Sequence, residues 1–323
     1  MIKESFGFAL GAAGFLARSG KAPGGPFAVF IEPTNVCNLK CPLCACGSGS
    51  LNRPRGRMSL RGFIRIVDAL PSSVATLYLW GQGEPFMANE FLGMVRYAAG
   101  KGFGTVTSTN GHFLEDHEGI AESGLGRLIV SLDGADEASY REYRSGGDFE
   151  KVVESVRRLA DTVRILGRGP LIEMQVLVTA KNLGNIAAFR ELSRTIGAHR
   201  VTFKTVQAAS MDGGGAFLPE DLSFTRYRRA TGGMLVPDRY RFLENRCLRI
   251  YNSIQVDWRG NVLPCCFDKD SEYIMGNLYN DSFADIWNGE AFRSFRKMFV
   301  NSGRILPMCR DCTEGLKRLE LKL

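Results

Sequence analysis

Cys37, Cys41 and Cys44 lie in the run C-N-L-K-C-P-L-C and give the spacing C-x3-C-x2-C. Three thiolates on one short loop can hold three corners of a 4Fe–4S cluster. The fourth iron then has no protein ligand. An open metal position is where a cofactor or substrate binds and reacts. Zinc is the competing reading, because cysteines at such spacings also form structural zinc sites. A zinc site wants a fourth ligand. Cys46 could supply it, and no histidine lies close in the sequence.

A second set of thiols lies near the C-terminus: Cys247, the adjacent pair Cys265 and Cys266, and Cys309 and Cys312 in C-R-D-C. Between Cys247 and Cys265 runs I-Q-V-D-W-R-G-N-V-L-P, read as two short strands around the turn at 258–261. Such a hairpin brings Cys265 back towards Cys247, and the final C-x2-C closes the far side. Four thiolates suit a 4Fe–4S cluster with no open iron. By spacing they suit structural zinc equally. All nine cysteines considered, this clustering argues for metal rather than disulfides, and so for a reducing, cytoplasmic compartment. Cys46 and Cys266 are left over, and a spare cysteine is usually a buried apolar residue. Cys266 competes with Cys265, because adjacent residues of a strand point to opposite faces.

These thiols need a scaffold. The chain has 323 residues, enough for one large α/β domain and a smaller unit. Short β-rich runs at 27–32, 76–80, 104–109, 127–132, 171–179 and 200–206 alternate with helical stripes at 59–70, 148–166 and 185–196. Alternating strands and helices imply a parallel sheet with right-handed crossovers. In such sheets ligands gather at the C-terminal ends of the strands. The cysteine loop follows the first strand. Gly81-Gln82-Gly83-Glu84-Pro85 follows the second, Ser108-Thr109-Asn110-Gly111 ends the third, and Ser131-Leu132-Asp133-Gly134 ends the fourth. Glycines allow close backbone approach to a ligand. Short polar side chains can bond ribose hydroxyls, although capping of helices is their commoner work. Arg144, in Y-R-E-Y-R, could grip a carboxylate or sit in solvent as a helix charge.

Taken together, these residues resemble the radical S-adenosylmethionine (SAM) superfamily, and the resemblance runs from about residue 27 to Cys312. It implies a partial (βα)6 TIM-like barrel over 27–235, after an N-terminal extension at 1–26. A small auxiliary-cluster domain of SPASM type, in the shortened one-cluster form called twitch, follows over 236–323. SAM would occupy the open iron. Gly81, Gly83, Glu84 and Pro85 match the family's G-G-E-P, with Gln82 inserted, and would meet the SAM amino group. Ser131 and Asp133 match the family's S-x-D-G near the ribose or carboxylate; Thr109 and Asn110 stand at the neighbouring strand end. Arg144 would pair with the SAM carboxylate. Leu43 departs from the aromatic residue that many relatives carry before the third cysteine. Cys265 is preferred over Cys266 because Cys247, Gly260 and Cys265 complete the family's C-x12-G-x4-C register.

The implied reaction is reductive cleavage of SAM to methionine and a 5′-deoxyadenosyl radical, which removes a hydrogen atom from a substrate. Oxidation of a small molecule, with the auxiliary cluster accepting an electron, is the favoured outcome. Modification of a peptide or protein side chain is the alternative. A reducing partner such as flavodoxin or ferredoxin is expected. Lys204, Asp268 and Asp270 are conceivable bases, and none is chosen. A zinc-stabilised nucleic-acid-binding protein is the non-enzyme alternative. The net charge of +7 permits an acidic partner, yet the Lys and Arg residues are scattered, so no nucleic acid is expected. The apolar stretch 6–17 is too short and glycine-rich to span a bilayer, and is expected to dock on the protein's own surface rather than on a membrane.

Overall fold

A computed structural model describes residues 11–207, 215–310 and 312–322. All six expected strands form: β1 (Ala28–Ile31), β2 (Thr76–Tyr78), β3 (Gly104–Thr109), β4 (Arg127–Ser131), β5 (Leu171–Val178) and β6 (Arg200–Thr205). Two short strands, β7 (Tyr227–Arg229) and β8 (Leu235–Pro237), follow them and pair antiparallel with each other. Between them lie α1 (Leu60–Asp68), α2 (Phe91–Gly100), α3 (His117–Ala121), α4 (Glu137–Tyr143), α5 (Phe149–Leu166) and α6 (Ile186–Thr195). In α1 the helical stripe puts Phe63, Ile66 and Val67 in the core, and the Ser59 hydroxyl caps the start by accepting the Gly62 N–H. In α5 the Asp148 carboxylate accepts the Lys151 N–H, and Gly167 ends the helix at φ 62°.

The chain forms two compact units, neither of them continuous in sequence. The first comprises residues 1–36, 51–107 and 241–315. Here β1 pairs in parallel with β2, Val29 opposite Leu77, and with β9 (Ser253–Val256), Val29 opposite Ile254. β9 turns back into β10 (Asn261–Leu263) with Val256 opposite Val262, the hairpin expected around 258–261. β11 (Gly276–Asn277) adds an antiparallel edge to β10. Both faces of β9 are buried, as parallel pairing under helices demands. The described part of the apolar N-terminal stretch, 11–16, is helical. It lies so close to Tyr251 that a Cβ on Gly14 would come within 2.9 Å of the ring. Residues 6–10 of that stretch lie outside the described residues. No described helix is long and apolar enough to cross a membrane.

The second unit comprises residues 37–50, 108–240 and 316–323. β4, β5 and β6 pair in parallel, with Val130 opposite Met174 and Gln175 opposite Thr202. β12 (Glu320–Leu321) closes the edge of β6 in antiparallel sense. This unit carries the N-terminal cysteine loop; the first carries the C-terminal cysteines.

Candidate cofactor site

The cysteine loop is folded tightly on itself. The Cys44 N–H donates to the Cys41 carbonyl at 3.2 Å, and Ser48 N–H to the Cys44 carbonyl at 2.8 Å. A Cβ on Gly47 would stand 2.5 Å from the Cys41 nitrogen, so only glycine fits there. Cys41 is buried with Leu39 and Tyr143 in one apolar patch, which Cys37, Cys44 and Leu43 join. The three cysteines singled out by spacing therefore border one apolar patch. Leu43 also packs against the cluster of Val206, Leu218 and Tyr227, so the departure from an aromatic residue is absorbed by the core.

N–H donors are aimed at these sulfurs. Cys37 Sγ accepts from the Leu39 N–H at 3.5 Å and from Asn110 Nδ2 at 3.8 Å. Cys41 Sγ lies 3.9 Å from Arg144 Nη1. Burial pushes the Cys41 thiol up, and the Arg144 guanidinium opposes that shift. Arg144 is held by Asp133, Nε to Oδ2 at 2.6 Å. The other Asp133 oxygen accepts the Leu177 N–H at 2.6 Å, and Asn182 Nδ2 donates to the Asp133 carbonyl. Arg144 is thus neither a solvated helix charge nor a free clamp. It is the C-cap of α4 and sits on a carboxylate that β4 supplies.

Asn110, at the end of β3, donates to Asn38 Oδ1 at 2.8 Å and so ties the cysteine loop to the strand. Its own Oδ1 accepts from the His112 backbone and lies 3.0 Å from His112 Nδ1. His112 Nε2 accepts the Asp148 N–H at 2.9 Å, which fixes a neutral tautomer with the proton on Nδ1. Burial holds the His112 pKa below its ordinary value of 6.5. Thr109 is buried and its hydroxyl accepts the Gly111 N–H; Ser131 is buried at the end of β4.

In the first unit, the Gly81–Pro85 loop is shaped by Glu32 at the end of β1. Glu32 is 1% exposed and accepts both arms of Arg53, Nη1 to Oε1 at 2.7 Å and Nη2 to Oε2 at 2.5 Å. Oε2 also accepts the Gln82 N–H at 2.8 Å. A Cβ on Gly81 would strike this carboxylate at 2.6 Å, and one on Gly83 (φ 92°) would strike the Asn35 backbone at 2.7 Å. Both glycines are therefore required by contact. Glu84 donates its N–H to the Val36 carbonyl at 2.9 Å, and its carboxylate caps the short turn Pro85–Met87. Arg53 Nε reaches the Lys269 carbonyl at 2.6 Å, joining this loop to the segment after Cys266.

Cys247, Cys265, Cys309 and Cys312 are all buried in the same unit. Burial, with the Glu314 carboxylate nearby, pushes the Cys247 thiol up to about 12. The mutual hydrogen bond of Cys265 and Cys266 raises the Cys265 pKa and lowers that of Cys266, and Arg249 also favours the Cys266 thiolate. Cys247 acts electrostatically on Cys265, whereas Cys266 meets Arg249 Nη1 at 3.5 Å. Arg304 Nη1 donates to Cys312 Sγ. The three conceivable bases are all engaged. Lys204 pairs with Glu320, Asp268 accepts the Glu272 and Tyr273 N–H groups, and Asp270 accepts the Asn52 N–H.

Among the described residues, no three His, Cys, Asp or Glu side chains converge on one point as a single ion would need. Cys37, Cys41 and Cys44 share a patch, and the sulfurs of Cys37 and Cys41 meet N–H donors, as thiolates on a multi-iron body do. Sequence reasoning missed Asn38, Glu32, Arg53, His112, Arg249 and Arg304. Single charged or amide residues carry no spacing signal, and partners such as Asn110 for Asn38, Arg53 for Glu32 and Asp148 for His112 lie more than twenty residues away.

Fold and thiols define an iron–sulfur α/β enzyme. The family model described as Radical SAM superfamily matches residues 31–173, and that of the SPASM iron–sulfur cluster-binding domain matches 247–313. The chain belongs to the radical SAM superfamily and carries a SPASM domain. Its cofactors are SAM, the 4Fe–4S cluster that binds it, and an auxiliary 4Fe–4S cluster. It is 26% identical to the tungsten-containing aldehyde ferredoxin oxidoreductase cofactor-modifying protein of Pyrococcus furiosus, over 88% of this chain and 86% of that one. It is equally identical to an AdoMet-dependent heme synthase of Nitratidesulfovibrio vulgaris (87% and 85%) and to mycofactocin maturase MftC of Mycobacterium tuberculosis (84% and 73%). Streptococcus suis SuiB, solved with S-adenosylmethionine, shares the fold with a TM-score of 0.66 at 15% identity, over 84% of this chain and 68% of that one. SuiB has also been solved with its precursor peptide SuiA. The fold is the α/β partial barrel followed by the auxiliary-cluster domain.

Two outcomes follow from the buried pairs. Arg53→Met strands the Glu32 carboxylate and should cost about 3–5 kcal/mol in urea unfolding, of which Glu32→Gln in the same chain should restore at least half. His112 binds a proton less readily folded than unfolded, so its contribution is whole above about pH 6.5 and is lost as pH falls through its lower folded value. The melting temperature should fall more between pH 7 and pH 5 in the wild type than in His112→Gln. Equal falls would contradict that assignment.

Proposed function

We propose that Cys37, Cys41 and Cys44 hold the SAM-binding cluster, within a barrel of residues 27–235. We propose that Cys247, Cys265, Cys309 and Cys312 hold the auxiliary cluster, in the region 236–323. The loop's shared apolar patch and its N–H donors support the first assignment, and this is the observation that carries the reading. For the second, the burial of all four cysteines supports full protein ligation, which suits an electron acceptor better than a substrate-binding metal. Cys265 is preferred to Cys266 because it is buried as Cys247, Cys309 and Cys312 are, while Cys266 is half-buried and its Sγ already meets Arg249 Nη1 at 3.5 Å.

When bound, the reduced cluster and SAM supply a hydrogen-abstracting radical. The chain's own residues bind and orient. Backbone groups of Gly81, Gly83, Glu84 and Pro85 would receive the SAM ammonium. Thr109, Asn110, Ser131 and Asp133 would line the ribose and carboxylate. Arg144 keeps Nη1 near Cys41 while Asp133 fixes Nε, so it can steady the loop and offer its remaining N–H groups to the SAM carboxylate. The buried surroundings of Cys41 exclude water. A reductant such as flavodoxin or ferredoxin in the cytoplasm would deliver the electron.

The reaction favoured is two-electron oxidation of a small molecule. Support comes from relatives whose names refer to cofactor modification and heme synthesis. Peptide modification is the second reading, favoured by the fold shared with SuiB, which has been solved with a precursor peptide. Incubation with dithionite, SAM and deuterated candidates should place label in 5′-deoxyadenosine from a small molecule; label from a peptide alone would select the second reading.

The triple change Cys37→Ala, Cys41→Ala and Cys44→Ala should abolish reductive SAM cleavage while sparing about half the iron. Cleavage by that variant would refute the site. Cys265→Ala should lose the auxiliary cluster's iron and Cys266→Ala should keep it. The reverse result would move the ligand by one residue.

A further inference from the structure

A hollow of about 350 Å³ opens beside the start of α1, walled by Arg57, Arg61, Arg65, Trp258, Arg259 and Tyr279. All six belong to the first unit. Four arginines line it, and among the described residues no Asp or Glu does. The arginines of a second hollow are arranged differently. A larger hollow of about 560 Å³ contains Arg157, Arg164 and Arg194, and each is neutralised there or beside it, by Glu154, Asp161 and Glu191 respectively.

In the smaller hollow Arg57, Arg61 and Arg65 meet no carboxylate among the described residues. Arg57 Nε donates to the Met87 carbonyl at 2.7 Å and Arg65 Nη2 to the Tyr279 carbonyl at 2.6 Å. Arg65 lies 5.6 Å above the Tyr279 ring and Arg259 5.9 Å from that of Trp258, contacts that orient a guanidinium and leave its charge intact. No hydrogen bond or ion pair engages the Arg61 side chain among the described residues. Only Arg259 meets a carboxylate, Asp257 at 3.3 Å. That oxygen also serves Asn261 Nδ2 and the Ser271 hydroxyl, and its twin serves the Arg259 and Asn261 N–H groups. Trp258 Nε1 and Arg259 Nε are buried N–H donors with no acceptor among the described residues, which is costly to a fold unless something else satisfies them. The helix start itself is not the attraction, since Ser59 takes the Gly62 N–H and Glu90 the Leu60 N–H.

We propose that this hollow binds a polyanion, a ligand carrying at least two phosphate or carboxylate groups. Guanidinium forks match both groups bidentately, and the volume exceeds what one small oxyanion fills. The site is separate from the residues proposed for SAM and the clusters, so it stands whether or not that reading does.

Calorimetric titration of the cluster-loaded protein with inorganic triphosphate and with citrate tests it. Saturable binding of at least one probe is expected, weakening as salt rises. Tighter triphosphate assigns the ligand to phosphates; tighter citrate assigns it to carboxylates. Arg61→Glu with Arg65→Glu should weaken binding at least about tenfold with iron content and melting temperature unchanged. Should that pair fold poorly, Arg61→Gln with Arg65→Gln gives the same test. Arg157→Glu with Arg194→Glu, in the larger hollow, should leave binding as it was. Failure of both probes to saturate, or wild-type affinity in the Arg61 and Arg65 variants, overturns the proposal.

Discussion

A guanidinium held between a carboxylate and a sulfur anchors the cysteine loop. Arg144 is half-buried, with the buried Asp133 at 2.6 Å on one side and Cys41 Sγ at 3.9 Å on the other. Neither charge could stay in so apolar a place alone, since an unpaired buried ion costs several kcal/mol. Asp133 lies two residues past β4 and Arg144 caps α4, so the pair fixes the cysteine loop to two regular elements. Asn110 does the same from the end of β3 through Asn38. A cluster ligated by thiolates adds negative charge, and the arginine is already in place to meet it.

The same solution recurs at the other thiols. Arg249 reaches Cys266 and Arg304 reaches Cys312, each also tied to other groups that hold it in position. At the Gly81–Pro85 loop the roles are reversed. A buried carboxylate, Glu32, is met by Arg53, and the loop backbone fits around it so closely that Gly81 has no room for a side chain. Arg53 then touches the Lys269 carbonyl. The glycine-rich loop and the C-terminal thiol segment are in this way built around one ion pair.

Much of this was legible in the sequence, and the limits are physical. Strand runs were found to within a residue or two because buried parallel strands read as continuous apolar segments. The hairpin at 258–261 was legible from its turn residues. Cysteine spacing announced two metal-binding sets because ligand geometry constrains spacing directly. Arg144 could only be left between solvent and ligand, since its partner Asp133 is identified by the fold and not by the chain. Glu32 and Arg53 looked like ordinary charges for the same reason. The two compact units interleave segments, which no composition boundary in a linear reading could signal.

The central claim is that Arg144, seated on Asp133, makes the cysteine loop competent to hold a SAM-binding cluster. Electron paramagnetic resonance of the dithionite-reduced protein, titrated with SAM in the wild type and in Arg144→Met, tests it most directly. In the wild type, one of two cluster signals should change as SAM is added. In Arg144→Met that signal should be lost or stop responding, while the auxiliary signal stays. A SAM-dependent spectrum identical to that of the wild type would contradict the account.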